Sequence, residues 1–193
     1  MEEKLSDKIY AEIRNGIIDG EYSARDFLSE AQVAKKYGVS KAPVKEALHI
    51  LADQGYLISY PRRGYMINTY SDEELDKIQE IRKTLEALCV RLAIAKASDE
   101  ELEELRFYRD GEKRARDPRE TVNFKFHIGL ARLSGNEFLV DTLIPLVIKA
   151  SMNKINCEAD IDNFDKIIDA MLARDEAKAL QYLDEDIRYL KRK

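Results

Sequence analysis

The sequence has few cysteines and no long apolar run, and both absences narrow the class of protein. Its 193 residues include only Cys89 and Cys157, which lack the close spacing of metal ligands and are expected to be buried thiols of a cytoplasmic protein. No run of about eighteen apolar residues occurs, so we expect no transmembrane helix and no membrane partner. The first residues, Met1–Lys4, do not resemble a signal peptide.

Sequence motifs that carry catalysis are also missing. We find no nucleophile motif, no phosphate-binding loop and no cofactor fingerprint, so the sequence predicts a protein that is not an enzyme and needs no cofactor. An enzyme with His127 and Asp186 as an acid–base pair remains the remote alternative.

The charge of the chain is unevenly distributed. The net charge is −5, which by itself argues against a nucleic-acid partner. Residues 1–70 hold ten Lys and Arg against ten Asp and Glu, and residues 31–65 hold six against two. Because phosphate binding depends on the local field, a basic segment can bind DNA within an acidic chain.

The most informative stretch begins with two short helices. Ser29 and Gln32 form a capping box that starts the first helix, and Gly38 ends it. Ser40 caps the second helix and Pro43 lies in its first turn, where a missing N–H costs little.

A basic hairpin is predicted to follow the second helix. The segments Tyr56–Tyr60 and Tyr65–Asn68 read as short strands on either side of Pro61–Gly64. An amphipathic helix over Leu5–Asp19 precedes the whole stretch. Residues 1–70 therefore predict a winged helix-turn-helix domain of three helices and a β-hairpin wing.

The second helix of this domain has one apolar and one basic face. Val44, Ala47, Leu48 and Leu51 form the predicted buried stripe. The major groove admits one α-helix, and residues near its N-terminus reach base edges. The residues predicted to contact DNA are Ser40, Lys41, Lys45, His49, Arg62, Arg63 and Gly64. The alternative is that these cations form an ordinary solvated surface.

Residues 71–193 predict a separate all-α bundle of six helices. The predicted helices run from a capping box at Ser71 to about Ala97, over about sixteen residues from Ser98, and over Arg119–Ser134, Glu137–Cys157, Ile161–Ala173 and Glu176–Arg192. The first helix carries a stripe that we predict to be core: Leu75, Ile78, Ile81, Leu85, Leu88 and Leu92.

The pattern of residues Leu28–Ile67 resembles the DNA-binding domain of the GntR superfamily of bacterial transcription regulators. The resemblance depends on these residues: Gly38-Val39-Ser40, Pro43-Val44, Gly55-Tyr56-Leu57 and Pro61-Arg62-Arg63-Gly64. The family usually has arginine where this chain has Lys41 and Lys45. Lysine keeps the charge but lacks the planar fork that grips guanine.

The second half resembles the FCD domain of the FadR branch, in its six-helix, VanR-type form. The resemblance depends on these residues: Arg82 and Glu86, Phe126-His127, Ser134-Gly135-Asn136, and Ile167 with Ala170 before Asp175. It implies a homodimer that binds palindromic operators in double-stranded DNA. It also implies a small-molecule, carboxylate-like effector that changes DNA affinity. A bundle that has lost effector sensing and serves only for dimerisation is the alternative.

The resemblance also implies a divalent metal held by an aspartate and three histidines, but this sequence departs from that set. The four positions fall on Asn123, His127, Phe164 and Asp186. Phenylalanine has no lone pair to donate, so we predict a degenerate site without a tightly bound metal. Asn123, His127 and Asp186 remain weak metal candidates.

The predicted effector contacts are Arg82, Asn123, His127, Tyr182 and Asp186, with Asn153 and Asn156 as further candidates. Two of them have ordinary structural alternatives. Arg82 either pairs with Glu86 on the surface or points into a pocket to bind a carboxylate. His127 is either a hydrogen-bonded core residue or a ligand contact.

Overall fold

The computed structural model describes residues 4–18, 20–23, 26–108, 122–151 and 161–189. These residues form two compact units. The first comprises the described residues up to Ser71 together with residues 148–151, and the second comprises those of 72–108, 122–147 and 161–189. The sequence places the domain boundary between residues 70 and 71.

The first unit combines three helices with a small antiparallel sheet. Its elements are α1 (Leu5–Ile18), β1 (Phe27–Leu28), α2 (Glu30–Tyr37), α3 (Lys41–Asp53), β2 (Leu57–Tyr60) and β3 (Gly64–Ile67). β3 lies between β1 and β2 and pairs with both in antiparallel register. The predicted winged helix-turn-helix is therefore confirmed. The sequence missed β1, because two residues are too few to show an alternating pattern.

Both ends of α2 follow the predicted capping chemistry, whereas the start of α3 departs from it. Ser29 and Gln32 form the reciprocal capping box, and Gly38 ends α2 with φ of 66°. Ser40 occupies the N-cap position of α3, but its side chain makes no capping hydrogen bond. The predicted cap at Ser40 is thus correct in position and wrong in the bond.

The core of the first unit is built mainly from the predicted stripe of α3 and the apolar residues of the amphipathic helix α1. Val44, Ala47, Leu48 and Leu51 are completely buried, and Ile9, Ile13 and Ile17 are buried with them. Burial of each of the valine, leucine and isoleucine side chains contributes about 1.5–3 kcal/mol. Packing of α1 on α3 fixes the orientation of the basic face of α3.

The second unit is helical throughout the ranges that the structure describes. Its helices are α4 (Asp72–Lys96), α5 (Asp99–Glu103), α6 (Val122–Leu133), α7 (Glu137–Ser151), α8 (Ile161–Leu172) and α9 (Glu176–Tyr189), of which α7 has its last four residues in the first unit. A 3₁₀ turn, Glu104–Tyr108, continues α5. The predicted six-helix bundle is confirmed for these ranges. Asn153, Asn156 and Cys157 lie outside the described residues, whereas Cys89 is a buried free thiol, as predicted.

The long helix α4 buries a different face from the one that we predicted. Its buried residues are Gln79, Arg82, Glu86, Cys89, Val90 and Ala93. In the predicted apolar stripe, Ile81 is 50% exposed and Leu88 is 40% exposed. The prediction was wrong for Ile81 and Leu88, because polar side chains of α4 take the fully buried positions, whereas Leu85 and Leu92 are partly buried against the core as predicted.

None of the helices in the described part of the chain is long and apolar enough to cross a membrane.

Candidate nucleic-acid interface and buried charge cluster

The N-terminal half of α3 presents a basic surface. Lys41 and Lys45 are exposed, and Ser40 precedes them at the exposed N-cap. His49 is also exposed, but its Nδ1 lies 3.6 Å from Asp53 Oδ1, one turn further along the helix. The structure therefore brings all four predicted α3 residues to one face, with a carboxylate beside the last of them.

The wing places two arginines at its tip. The Arg63 amide donates a hydrogen bond to the Tyr60 carbonyl (3.0 Å), which closes a tight turn. Arg62 occupies that turn with φ of 66°, a left-handed conformation that costs a non-glycine residue about 1–2 kcal/mol. Both arginine side chains are exposed. The left-handed conformation of Arg62 therefore lowers folding stability and leaves an exposed guanidinium group at the wing tip.

The strand β1 contributes an aromatic residue that sequence reasoning missed. Phe27 pairs with Met66 across the sheet, and its ring lies 5.5 Å from that of Tyr60 between centroids. The guanidinium carbon of Arg63 lies 5.8 Å from the Phe27 centroid. This distance is typical of a cation–π contact, so Phe27 restrains Arg63. No sequence signal could have paired Phe27 with the wing.

Gly64 has a packing role in the structure, whereas the sequence grouped it with the DNA-contacting residues. Its φ is 111°, and an added Cβ would lie 2.7 Å from the Leu28 carbonyl oxygen. Glycine at this position therefore allows β3 to approach β1 closely.

The second unit contains a buried cluster of charged side chains. Arg82 and Glu86 are fully buried, with Arg82 Nε donating to Glu86 Oε1 at 2.8 Å. Arg82 Nη1 also donates to Gln79 Oε1 (3.2 Å). The other oxygen of Glu86 accepts from Nδ1 of the buried His127 (2.6 Å). Arg82 therefore both pairs with Glu86 and faces the interior, which combines the two alternatives that the sequence left open.

Three polar atoms of this cluster have no hydrogen-bond partner among the described residues: Arg82 Nη2, His127 Nε2 and Asp186 Oδ2. His127 Nε2 and Asp186 Oδ2 lie 3.2 Å apart, at ion-pair distance, although their alignment is not that of a hydrogen bond. Arg82 and His127 are fully buried and Asp186 is 5% exposed. Buried polar atoms are normally paired, so this concentration of unpaired atoms marks a candidate site.

The cluster changes the proton affinities of its members. Burial alone would raise the pKa of Glu86, but the charges of Arg82 and His127 lower it to about 2. Burial alone would lower the pKa of His127, and Arg82 acts in the same direction, yet Glu86 and Asp186 outweigh both and raise it. Glu86 is therefore ionised and His127 is stabilised in its protonated form.

The side chains at the expected metal positions do not fit a divalent metal. Phe164 is buried and stacks on Phe126, with 4.0 Å between ring centroids. His127 Nδ1 is held by Glu86. In the described ranges, no group of three His, Cys, Asp or Glu side chains could hold a metal ion. An apolar ring and an internal ion pair therefore occupy the place of a metal-ligand set.

The remaining predicted effector residues lie one helical turn from the cluster. Asn123 precedes His127 by four residues on α6, and Tyr182 precedes Asp186 by four on α9. Both are partly buried, and the Tyr182 carbonyl accepts a hydrogen bond from Asn163 (2.9 Å). Sequence reasoning missed Gln79, although its spacing to Arg82 and Glu86 places all three on one face of α4.

Comparison with known proteins agrees with both halves of this description. The profile of bacterial regulatory proteins of the gntR family matches residues 5–67, and that of the FCD domain matches residues 77–189. The chain belongs to the GntR family of bacterial transcription regulators. The resemblance drawn from the sequence is thereby confirmed, and this GntR-family regulator carries an FCD domain in its second half.

Individual relatives are regulators as well. The chain is 32% identical to the HTH-type transcriptional regulator YdhC of Bacillus subtilis (strain 168) over 70% of this chain and 63% of that protein. It is 31% identical to the Nta operon transcriptional regulator of Aminobacter aminovorans over 60% of this chain and 57% of that protein. These alignments span less than two thirds of either relative.

The fold is also found among solved structures. The structure of E. coli McbR/YncC superposes with a TM-score of 0.69 at 22% sequence identity, and it covers 97% of this chain and 95% of that one. At this identity the likeness concerns the fold.

Proposed function

We propose that this GntR-family regulator binds palindromic operators in double-stranded DNA as a homodimer, and that a small-molecule effector in the FCD domain changes its DNA affinity. It acts on the bacterial chromosome in the cytoplasm, and it is not an enzyme. The observation that carries the proposal is the joint exposure of Lys41 and Lys45 on α3 with Arg62 and Arg63 on the wing.

The DNA contact combines two kinds of readout. Ser40, Lys41 and Lys45 at the start of α3 face base edges in the major groove, whereas the wing arginines contact phosphate or the adjacent minor groove. His49 lies at the far end of this face beside Asp53, whose negative charge opposes a phosphate. We therefore assign His49 a weaker contribution than Lys45.

The apolar stripe of α4, in which Ile81 and Leu88 are exposed, supports dimerisation. Ile78, Ile81, Leu85, Leu88 and Leu92 recur at alternating spacings of three and four residues, as the a and d positions of a heptad do. A second copy of the chain covers this stripe, and its two-fold symmetry matches a palindromic operator.

The buried cluster supports effector binding. Arg82, His127 and Asp186 supply the unpaired polar atoms, and Asn123 and Tyr182 lie one turn away. We propose that this site works without a tightly bound metal, because Phe164 and the Glu86–His127 pair take the place of the ligands.

The dimerisation-only bundle remains a second candidate, and one observation favours it. Glu86 already neutralises Arg82 and holds His127, as an effector carboxylate would otherwise do. A thermal-shift screen separates the two candidates, since a ligand that binds only the folded state must raise the melting temperature.

The DNA-binding proposal is tested by measuring fluorescence anisotropy of duplexes from the protein's own promoter region. Lys45→Ala should cost about 1–3 kcal/mol and relax base preference at one position. Arg63→Ala should weaken binding to all duplexes alike and reduce the salt dependence. The exposed Lys166→Ala on α8 serves as the control. Equal, sequence-independent losses from Lys45→Ala and Arg63→Ala would mean that Lys45 contacts only phosphate.

A further inference from the structure

The buried cluster is balanced in charge before any ligand binds. His127 lies between two carboxylates, with Nδ1 2.6 Å from Glu86 Oε2 and Nε2 3.2 Å from Asp186 Oδ2. Two flanking carboxylates favour the imidazolium form, so the positive charges of Arg82 and His127 offset the negative charges of Glu86 and Asp186. A ligand with net charge would leave a buried charge without a counterion, which is strongly unfavourable. This balance selects for a ligand with no net charge.

The unpaired atoms differ in hydrogen-bonding character. Arg82 Nη2 and the protonated His127 Nε2 are donors, whereas Asp186 Oδ2 is an acceptor. A ligand that pairs all three must therefore carry both an acceptor group and a donor group. A simple carboxylate would leave Asp186 Oδ2 unpaired, and a simple amine would leave Arg82 Nη2 and His127 Nε2 unpaired.

The spacing of donor and acceptor restricts the ligand further. His127 Nε2 and Asp186 Oδ2 lie only 3.2 Å apart. Two polar groups attached to the same carbon atom can therefore face both of them at once. The α-amino and α-carboxylate groups of an amino acid meet this requirement, and together they have no net charge.

We propose that the FCD-domain cluster binds a zwitterionic ligand of the α-amino-acid class, with its carboxylate on Arg82 Nη2 and His127 Nε2 and its ammonium group on Asp186 Oδ2. This inference rests on the effector site proposed above and names its ligand class. Asn123 and Tyr182, one turn from the cluster and partly buried, face the side chain of the ligand and set its identity.

The test is a thermal-shift and calorimetric screen of the full chain against the twenty common L-amino acids. For each amino acid, the acid that lacks the amino group and the amine that lacks the carboxylate serve as matched compounds. We expect at least one amino acid to raise the melting temperature and change the affinity for operator DNA. Loss of either polar group should weaken its binding about a hundredfold or more, because each loss leaves buried polar atoms unpaired.

A substitution at Asp186 should reverse the ligand preference of the cluster. Asp186→Asn removes one negative charge from the cluster, so this variant should lose affinity for the amino acid and gain affinity for the matching acid without the amino group. Glu185→Gln, exposed on the same helix, should leave the ligand preference unchanged. If Asp186→Asn does not fold, the comparison of matched compounds on the unaltered protein still decides.

Other outcomes separate this inference from the function on which it rests. Stabilisation by dicarboxylates or sugar acids but not by amino acids would keep the effector site and overturn the ligand class. Absence of any stabilising compound, with operator binding intact, would overturn the ligand class and leave a structural cluster in a DNA-binding protein.

Discussion

At the scale of single residues, Glu86 is the centre of the buried cluster. One of its oxygens accepts from Arg82 and the other from His127, and all three side chains are excluded from solvent. A buried ion pair adds little net stability compared with apolar residues of the same size, but removal of one partner leaves an uncompensated charge.

Replacement of Glu86 by glutamine should therefore destabilise the protein severely. Glu86→Gln keeps the shape of the side chain but leaves Arg82 and His127 without their shared counterion. We expect a loss of about 3–5 kcal/mol in the free energy of unfolding, measured by urea denaturation. Glu80→Gln, exposed on the same helix, should change stability by less than about 0.5 kcal/mol. Similar stabilities for the two variants would contradict the role of Glu86 as the counterion of Arg82 and His127.

The same cluster predicts a stability maximum in mildly acidic solution. The raised pKa of His127 contributes stability that is complete below its ordinary value of 6.5 and is lost as pH rises through the raised value. The pKa of Glu86, lowered from 4.5 to about 2, contributes stability above pH 4.5 that is lost as pH falls towards 2. Arg82 and Asp186 are the other charged groups that act on this pair.

Urea denaturation between pH 3 and pH 9 measures this dependence. His127→Gln should flatten the alkaline limb of the profile, because the variant has no imidazole to deprotonate. If the stability of this variant still falls as steeply with rising pH, a group other than His127 causes the loss.

At the scale of elements, the wing depends on a strand that comes from outside the hairpin. β1 pairs with β3 and brings the Phe27 ring to Tyr60 and Arg63. The Phe27 ring, packed on Tyr60, forms an aromatic support for the Arg63 cation at the wing tip.

Removal of this aromatic support should weaken DNA binding through Arg63. Phe27→Leu keeps an apolar side chain but removes the ring, and we expect about a twofold to fivefold loss of operator affinity, equivalent to about 0.5–1 kcal/mol. In an Arg63→Ala background the same change should have no further effect, because the double-mutant cycle isolates the coupling. Phe27→Tyr, which keeps an aromatic ring, should bind operator DNA as tightly as the unaltered protein. Additive losses would show that Phe27 acts independently of Arg63.

Comparison of the elements shows which features a sequence can reveal. The capping box at Ser29, the left-handed Gly38 and the stripe of α3 follow from local chemistry, and the structure has all of them. β1 could not be predicted, since two residues carry no periodicity. The buried face of α4 was predicted wrongly, because periodicity reveals an apolar stripe but does not identify the element that covers it.

The DNA-contacting surface could be predicted from the sequence more fully than the buried cluster, because periodicity and spacing report only on residues that are close in sequence. The basic residues of α3 and the wing lie close in sequence, so spacing alone groups them. Arg82, His127 and Asp186 come from three helices, and in the sequence only the family resemblance groups them. The role of Glu86 as the shared counterion emerges only from the packing of α4 against α6, which brings His127 to it, whereas the spacing of Gln79 to Arg82 already places Gln79 on the same face of α4.

At the scale of the whole molecule, the exposed apolar residues Ile81 and Leu88 of α4 predict the oligomeric state. Leu88→Glu places a charge in the middle of the stripe, and we expect a monomer in sedimentation velocity experiments, with operator affinity reduced at least tenfold because each monomer contacts one half-site. Glu80→Lys, on the polar side of α4, should leave the dimer intact. A Leu88→Glu variant that remains dimeric would place the interface on another face.

The left-handed conformation of Arg62 at the wing tip has a consequence for protein engineering. Asparagine tolerates positive φ more readily than arginine does, so a design procedure that ranks substitutions by thermostability alone would favour Arg62→Asn. Such a procedure would raise the melting temperature but remove a positive charge from the wing. The stabilised protein would then bind DNA more weakly.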